Sequence, residues 1–417
     1  MSNQNPLSAQ ISTVLAVAPK GALGVAVSGG SDSIALLRLL CDCMRIHGRK
    51  LYAATVNHNL RPEAQAEAQF VASLCDDLGI PHQILSWEDW NGHGNLQNAA
   101  RDARKALLTA WAQELGLVAV TLGHTQDDQA ETFLMRLARG SGVDGLSAMQ
   151  AIRGTNPVWV RPMLDIARVD LRCYLSALDQ SWIDDPSNQD EKFERVKIRN
   201  AMPALAKLGL TAARLSSTAQ GLQATRDVLE QATQNAAYEC CTPSYFGTVG
   251  IDLKTLQSHP EDIQYRVLSH AIKWVSGSKY RSRFETLKLV YNMLLHGKSQ
   301  TLAGCYIKTL KSKHIIVMRE LAHMKPVALY QGFFDRRWQV LADKKLQNTD
   351  IRPLGEKGLL QLKKWRELGV SRDILMQLPA AWQGEVVISA PLAGLSGPVG
   401  LSLKVHPDQF YLDIVSH

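Results

Sequence analysis

Between residues 22 and 140 one pattern of polarity repeats along the chain. Short apolar, β-rich runs (ALGVAV, LYAATV, HQILSW and LVAVTLG) alternate with longer segments, at 32–47, 62–79, 96–116 and 126–139, that carry a helical pattern. The runs read as strands and the longer segments as helices. Strands and helices alternating at these lengths predict right-handed crossovers and a doubly wound, mostly parallel α/β sheet. Ligands of such sheets bind beyond the carboxyl ends of the strands. The segments SGGSDS (28–33), VNHNLR (56–61) and GHTQDD (123–128) all emerge there, so three loops distant in sequence are expected to converge.

Beyond this region the pattern changes. From about 198 to 297 it is helical, with PEDIQYRVLSHAIKWV and SRFETLKLVYNMLLHG spaced in threes and fours, and TLAGCYIKTLKSKHIIVMRE then reads as paired strands. After about 325, Pro and Gly become frequent among short β-like runs such as RWQVLA and EVVISAP. A chain of 417 residues exceeds one compact core. The expected division is an α/β domain at 1–209, a mainly helical middle domain at 210–324 and a small mixed or β-rich domain at 325–417. The early run ISTVLAVAPKG has no basic residue before it in MSNQNPLSAQ and reads as a first helix leading into a strand rather than as a secretion signal. No apolar run approaches the ~18 residues of a membrane span, so a cytoplasmic protein without membrane contact is expected.

A net charge of +7 and a pI near 9.0 favour a polyanionic partner without naming one. The seven cysteines form no CxxC pair, which suits packed thiols in a reducing compartment.

SGGSDS supplies the chemistry that charge alone does not. Two glycines let the backbone turn sharply and aim amides at an anion, the following helix adds its positive end, and Ser28, Ser31 and Ser33 add hydroxyls. The loop lacks the lysine of a Walker A motif. Asp32 would repel phosphate unless a cation intervened, which suggests Mg²⁺ between Asp32 and the phosphates. The plain alternative is a Ser/Gly turn that caps a helix. GSGVDG (140–145) matches GxGxxG literally but follows a helix rather than a strand, and reads as a flexible turn.

GHTQDDQAET gathers His124, Asp127, Asp128 and Glu131 within about two helical turns, with Asp127 and Asp128 each sharing a face with Glu131. Such carboxylates can hold Mg²⁺, orient an amine or take a proton, or they can form a capped, solvated first turn. Arg101 and Arg104 share one helix face, and RVKIRN offers Arg195, Lys197 and Arg199, suited to an RNA backbone or to a soluble surface.

Taken together, SGGSDS after the first strand resembles the PP-loop of the N-type ATP pyrophosphatases. NHNLRPEA, AARDAR, GHTQDDQAET, LARGSGVDGL, RPML and DDPSN then follow in the order seen in the tRNA(Ile)-lysidine synthetase family. The resemblance is strongest over 21–205 and weaker beyond, where it rests on IRPLG and RELGV; it implies catalysis in 1–209 and tRNA binding by 210–324 and 325–417. It implies an ATP-dependent ligase working in two steps. The wobble cytidine of an isoleucine tRNA with a CAU anticodon is adenylated at its C2 carbonyl oxygen with release of pyrophosphate, and free L-lysine then displaces AMP to form lysidine. Decoding shifts from AUG to AUA.

Residue by residue, the resemblance implies that Ser28, Gly29, Gly30, Ser31 and Ser33 grip the β and γ phosphates of ATP, with Asp32 on Mg²⁺. Arg104 and His124 would steady the reacting phosphate or adenylate, Asp128 and Glu131 would receive the lysine amine, and Arg195, Lys197 and Arg199 would meet the tRNA. A lysine amine, with a pKa near about 10.4, must lose a proton to attack, which makes Asp128 a candidate base or orienting group. Lys105 stands where relatives often carry an aromatic residue, and RVKIRN departs from an Arg-Asn-Arg-Ile-Arg pattern. The resemblance admits a homodimer. Two alternatives remain: a cytidine thiolase on the same loop, which would need cysteine pairs, and a non-catalytic tRNA-binding relative, which would have lost the acidic residues.

Overall fold

The computed structural model describes residues 5–59, 63–88, 96–184, 191–278, 280–329, 332–342, 346 and 348–415. Parts of NHNLRPEA (60–62) and of DDPSN (185–188) lie outside the described residues. The chain divides into two compact units, Met1–Arg226 and Asp227–His417.

In the first unit the alternation appears where the polarity pattern puts it. Helix α1 (Pro6–Val17) leads into strand β1 (Leu23–Ala26), followed by α2 (Ser31–His47), β2 (Leu51–Asn57), α3 (Ala64–Leu78), β3 (His82–Ser86), α4 (Leu96–Glu114), β4 (Ala119–Leu122) and α5 (Gln126–Ala138). Next come α6 (Val143–Leu146), β5 (Ile152–Arg153), β6 (Val158–Val160), α7 (Arg168–Ala177), α8 (Glu194–Lys207) and α9 (Ala212–Cys240), the last crossing the boundary between units.

The sheet order is β3-β2-β1-β4-β6-β5, parallel except for β5. Because β2 and β4 flank β1, the winding reverses beside β1, and the exits of β1 and β4 form the crevice where such sheets bind ligands. All four β1 residues are buried. One sheet face packs α1, α2 and α7, and the other packs Leu108 and Trp111 of α4. Ile34, Leu36, Leu37, Leu39 and Leu40 of α2 are fully buried. Each contributes about 2 kcal/mol, which fixes the helix whose N-terminus faces the crevice.

In the second unit, β7 (Cys241–Pro243), β8 (Val249–Asp252), α10 (Leu253–Leu256), α11 (Glu261–Ser276), α12 (Phe284–Leu295), β9 (Gln300–Leu302), β10 (Cys305–Thr309) and β11 (His314–Arg319) build an antiparallel sheet of order β7-β8-β11-β10-β9. The paired strands near 300–319 are as expected. Strands β7 and β8 correct the reading of 198–297 as helical, since runs of three and four residues are too short for period two to register. Beyond 325 the chain forms a four-stranded sheet and a three-stranded sheet around a core that includes Phe334, Trp338 and Trp382. The terminal helix Gln409–Leu412 returns Phe410 to the core of α11 and α12.

All seven cysteines are free, six of them buried. Among the described residues no helix is long and apolar enough to cross a membrane.

Candidate active site

The loop leaving β1 is built as an open anion cradle. Gly29 has φ +86°, and a Cβ there would also come within 2.9 Å of Ile183. Gly30 caps α2 in an extended conformation, with no side chain on the cap. Ser33 Oγ donates to the Gly30 carbonyl (3.0 Å) and accepts from the Ser28 amide (3.1 Å), so the loop closes on itself. The first turn of a 17-residue helix is left facing the crevice with the positive end of its dipole. Gly123, at the exit of β4, sits against this turn, where a Cβ would lie 3.2 Å from backbone atoms of Asp32 and Ser33.

The acidic segment begins α5. Thr125 is its N-cap and forms a capping box with Asp128, whose Oδ2 accepts from the Thr125 amide (2.9 Å) and hydroxyl (3.1 Å). One Asp128 oxygen is thus structural, while Oδ1 faces guanidinium groups of Arg168 (3.2 Å) and Arg195 (3.4 Å). Glu131 is 2% exposed. Its carboxylate accepts from Arg195 Nε (2.8 Å), Arg199 Nε (2.8 Å) and Nη2 (3.2 Å), and Arg168 Nη1 (3.4 Å). Asp127 Oδ2 accepts from the Arg168 amide at 2.7 Å, capping α7 from outside that helix. Capping is therefore real here, but Asp128 and Glu131 are buried rather than solvated.

Two of the arginines come from α7. Arg168 Nε donates to Asp32 Oδ2 at 2.9 Å, and Arg172, one turn later, reaches Ser31 Oγ at 3.4 Å and Asp184 Oδ1 at 3.1 Å. The cation that the loop itself lacks is thus brought from α7.

The electrostatics follow from burial and these pairs. Burial pushes the Asp32 carboxyl above its ordinary value, against the pull of Arg168. Burial also acts upward on Asp128, but Arg195, Arg168 and the Thr125 amide outweigh it and hold the group below the usual carboxylate range. His124 is lowered to about 4, chiefly by burial, opposed by Asp128 and helped by Arg161, Arg104 and Arg195. Its Nδ1 is enclosed with no hydrogen-bond partner among the described residues. His58 shares both features, its proton affinity lowered by burial and by Arg104. Burial and Arg101 lower Arg104 in turn.

The phosphate loop at Ser31 and Asp32, Asp128 and Glu131 of α5, Arg168 and Arg172 of α7, and Arg195 and Arg199 of α8 are therefore joined by one set of contacts, and His124 is within electrostatic reach of Asp128, Arg195 and Arg104. Arg195 and Arg199, expected at RNA, turn inward to Glu131, whereas Lys197 between them is exposed. GSGVDG holds no nucleotide turn; it forms the one-turn helix α6, whose Gly145 carbonyl accepts from Arg136 at 2.7 Å. Sequence reasoning missed Arg168 and Arg172, although their four-residue spacing put them on one helix face. Among the described residues no three His, Cys, Asp or Glu side chains gather to hold a metal ion by themselves.

Comparison with known proteins agrees with this geometry. A PP-loop domain family matches residues 3–205. The tRNA(Ile)-lysidine synthase of Ruegeria pomeroyi is 39% identical over 415 residues, 99% of this chain and 97% of that one. The tRNA(Ile)-lysidine synthase of Wolbachia pipientis wMel is 36% identical over 313 residues, 74% of this chain and 72% of that one. One from Methylobacterium nodulans is 41% identical over 271 residues, 64% of this chain and 79% of that one. With a phosphate cradle and acidic helix in place, and likeness along nearly the whole length of a relative, the chain belongs to the tRNA(Ile)-lysidine synthase family.

Proposed function

We propose that this protein uses ATP to adenylate the C2 carbonyl oxygen of the wobble cytidine in a CAU-anticodon isoleucine tRNA, then joins the ε-amine of free lysine to C2 in place of that oxygen, which departs with AMP. AMP and pyrophosphate leave, and the lysidine formed reads AUA instead of AUG. The observation that carries this reading is the span of Arg168. One guanidinium touches Asp32 at the phosphate loop and both Asp128 and Glu131 on the acidic helix. The pyrophosphate end and the amine end of the site are one side chain apart, as displacement at the α-phosphorus of ATP followed by displacement at the adjoining C2 carbon requires.

In this reading Ser28, Gly29, Gly30, Ser31 and Ser33 hold the departing pyrophosphate, with Arg172 adding charge beside Ser31. Asp32 fits a Mg²⁺ ion whose remaining ligands are phosphate oxygens and water; bound there, the ion supplies neutralisation of phosphate charge. His124, neutral at pH 7, and Arg104 steady the adenylate. Asp128 and Glu131 receive lysine, and the depressed proton affinity of Asp128 favours orienting the amine over storing its proton. Lys197 is the member of RVKIRN free to meet RNA, while Arg195 and Arg199 act inside the crevice.

The regions 210–324 and 325–417 take the body of the tRNA. In support, a cavity of about 1160 Å³ in the second unit is lined by exposed Lys325 and Arg336 and the exposed ring of Phe333, beside Glu320 and an Arg319 paired with Asp335; the two exposed cations and the ring are suited to RNA. The setting is cytoplasmic. A thiolase is disfavoured because the seven cysteines form no CxxC pair and, among the described residues, no three of them gather at one place. The adenylation step is tested by pyrophosphate release from ATP: release should require tRNA with the wobble cytidine but not lysine, and release independent of that base would overturn the reading.

A further inference from the structure

Three guanidinium groups, Arg168, Arg195 and Arg199, face three carboxylates, Asp32, Asp128 and Glu131. Within this set the formal charges cancel, and the oxygens of Asp128 and Glu131 are already taken. Asp128 Oδ2 is spent on the Thr125 cap, its Oδ1 on Arg168 and Arg195, and both Glu131 oxygens on Arg195 and Arg199. An incoming ammonium would bring uncompensated positive charge to the place where it is to be held. It would also carry no lone pair with which to attack.

We propose that Arg168 is a positioning residue that occupies the amine-receiving carboxylates, so that the ε-amino group of lysine is accepted as the free amine and not trapped as a tightly paired ammonium. This rests on the reading of lysine as the nucleophile. Arg168 is suited to the task because a guanidinium does not surrender its charge at working pH. Its anchor is at Asp32, 2.9 Å away, while the contacts to Asp128 and Glu131 are longer, at 3.2 and 3.4 Å. The end near the amine subsite is therefore the more readily yielded. Asp127 fixes the backbone of Arg168 through its amide, so the side chain can shift without the helix moving. The proton of lysine goes to bulk water on entry, and Asp128 need not store it.

The consequence is a split between binding and turnover that ordinary damage to a site does not produce. Arg168→Met keeps the side chain's length and removes its charge, leaving Asp128 and Glu131 under-compensated. Free lysine, titrated calorimetrically into the protein without ATP, should then bind about tenfold more tightly than to the unaltered protein, with KM for lysine falling in parallel. At saturating ATP and tRNA, kcat should fall by about tenfold or more. Arg168→Lys keeps the charge and should leave lysine affinity near that of the unaltered protein. Weaker or unchanged lysine binding by Arg168→Met overturns the proposal, as does Arg168→Lys matching Arg168→Met. An unaltered protein that releases pyrophosphate but joins no lysine would count against the functional reading instead, while the calorimetric comparison would still decide the role of Arg168.

Discussion

Arg168 Nε lies 2.9 Å from Asp32 Oδ2, joining the first turn of α7 to the first turn of α2 across 136 residues of sequence. Because the same guanidinium reaches α5, the phosphate cradle and the acidic helix are held as one electrostatic unit. Substitutions within that unit should separate its functions.

In Asp128→Asn an amide oxygen can still accept from the Thr125 amide, so the cap survives. The charge facing Arg168 and Arg195 is lost. Lysine ligation should drop by about 100-fold or more, with tRNA affinity largely kept. Full lysidine formation by this variant would remove Asp128 from the reaction.

Gly123→Ala tests the cradle from behind. Its Cβ would press on backbone atoms of Asp32 and Ser33 at 3.2 Å, and backbone cannot rotate aside as a side chain can. ATP affinity should weaken by about tenfold, measured calorimetrically. Unchanged affinity would show that the loop tolerates displacement.

His124 supplies a pH signature. Its folded pKa is about 4 against an ordinary 6.5, so across that window the unfolded chain binds a proton that the folded site refuses. Stability contributed by the neutral imidazole is full above pH 6.5 and is lost as pH falls toward 4. The ring resonances should titrate near the lower value, and His124→Gln should flatten the loss of urea midpoint over this range. Titration of His124 at or above 6.5 would contradict the account.

Lys325 and Arg336, both exposed, line the cavity of the second unit. Reversing both charges should weaken tRNA binding about tenfold and make the salt dependence shallower by about two, with ATP affinity unchanged. This is a cleaner test than removing everything after Lys325, because Phe410 and Ile414 lie in the core around α11 and α12. Unaltered tRNA affinity would move the RNA contact elsewhere.

What could be read from the chain depended on whether a residue's role is local. Gly29, Gly30 and the serines of SGGSDS announce a turn followed by a helix because their conformational demands lie within six residues, and the strand exits then brought GHTQDD beside them. Arg168 and Arg172 are different. RPML ends just before them but leaves their role unmarked, and their partners Asp32 and Ser31 lie far away in sequence. Arg195 and Arg199 read as an RNA surface because a basic cluster looks the same in sequence whether it faces solvent or a buried glutamate. Their four-residue spacing, with Lys197 on the other side, separates the two cases only once Glu131 is known to face that side. In the second unit, β7 and β8 are too short to carry a period, and the pairing of β8 with β11 and of β7 with β8, rather than propensity, makes them strands.

The most direct test is incorporation of labelled free lysine into unmodified isoleucine tRNA bearing a CAU anticodon. The account predicts incorporation that requires ATP and Mg²⁺ and disappears when the wobble cytidine is replaced. Pyrophosphate release on adding the tRNA, with no lysine incorporated, would contradict the ligation and leave an adenylating enzyme that uses another nucleophile.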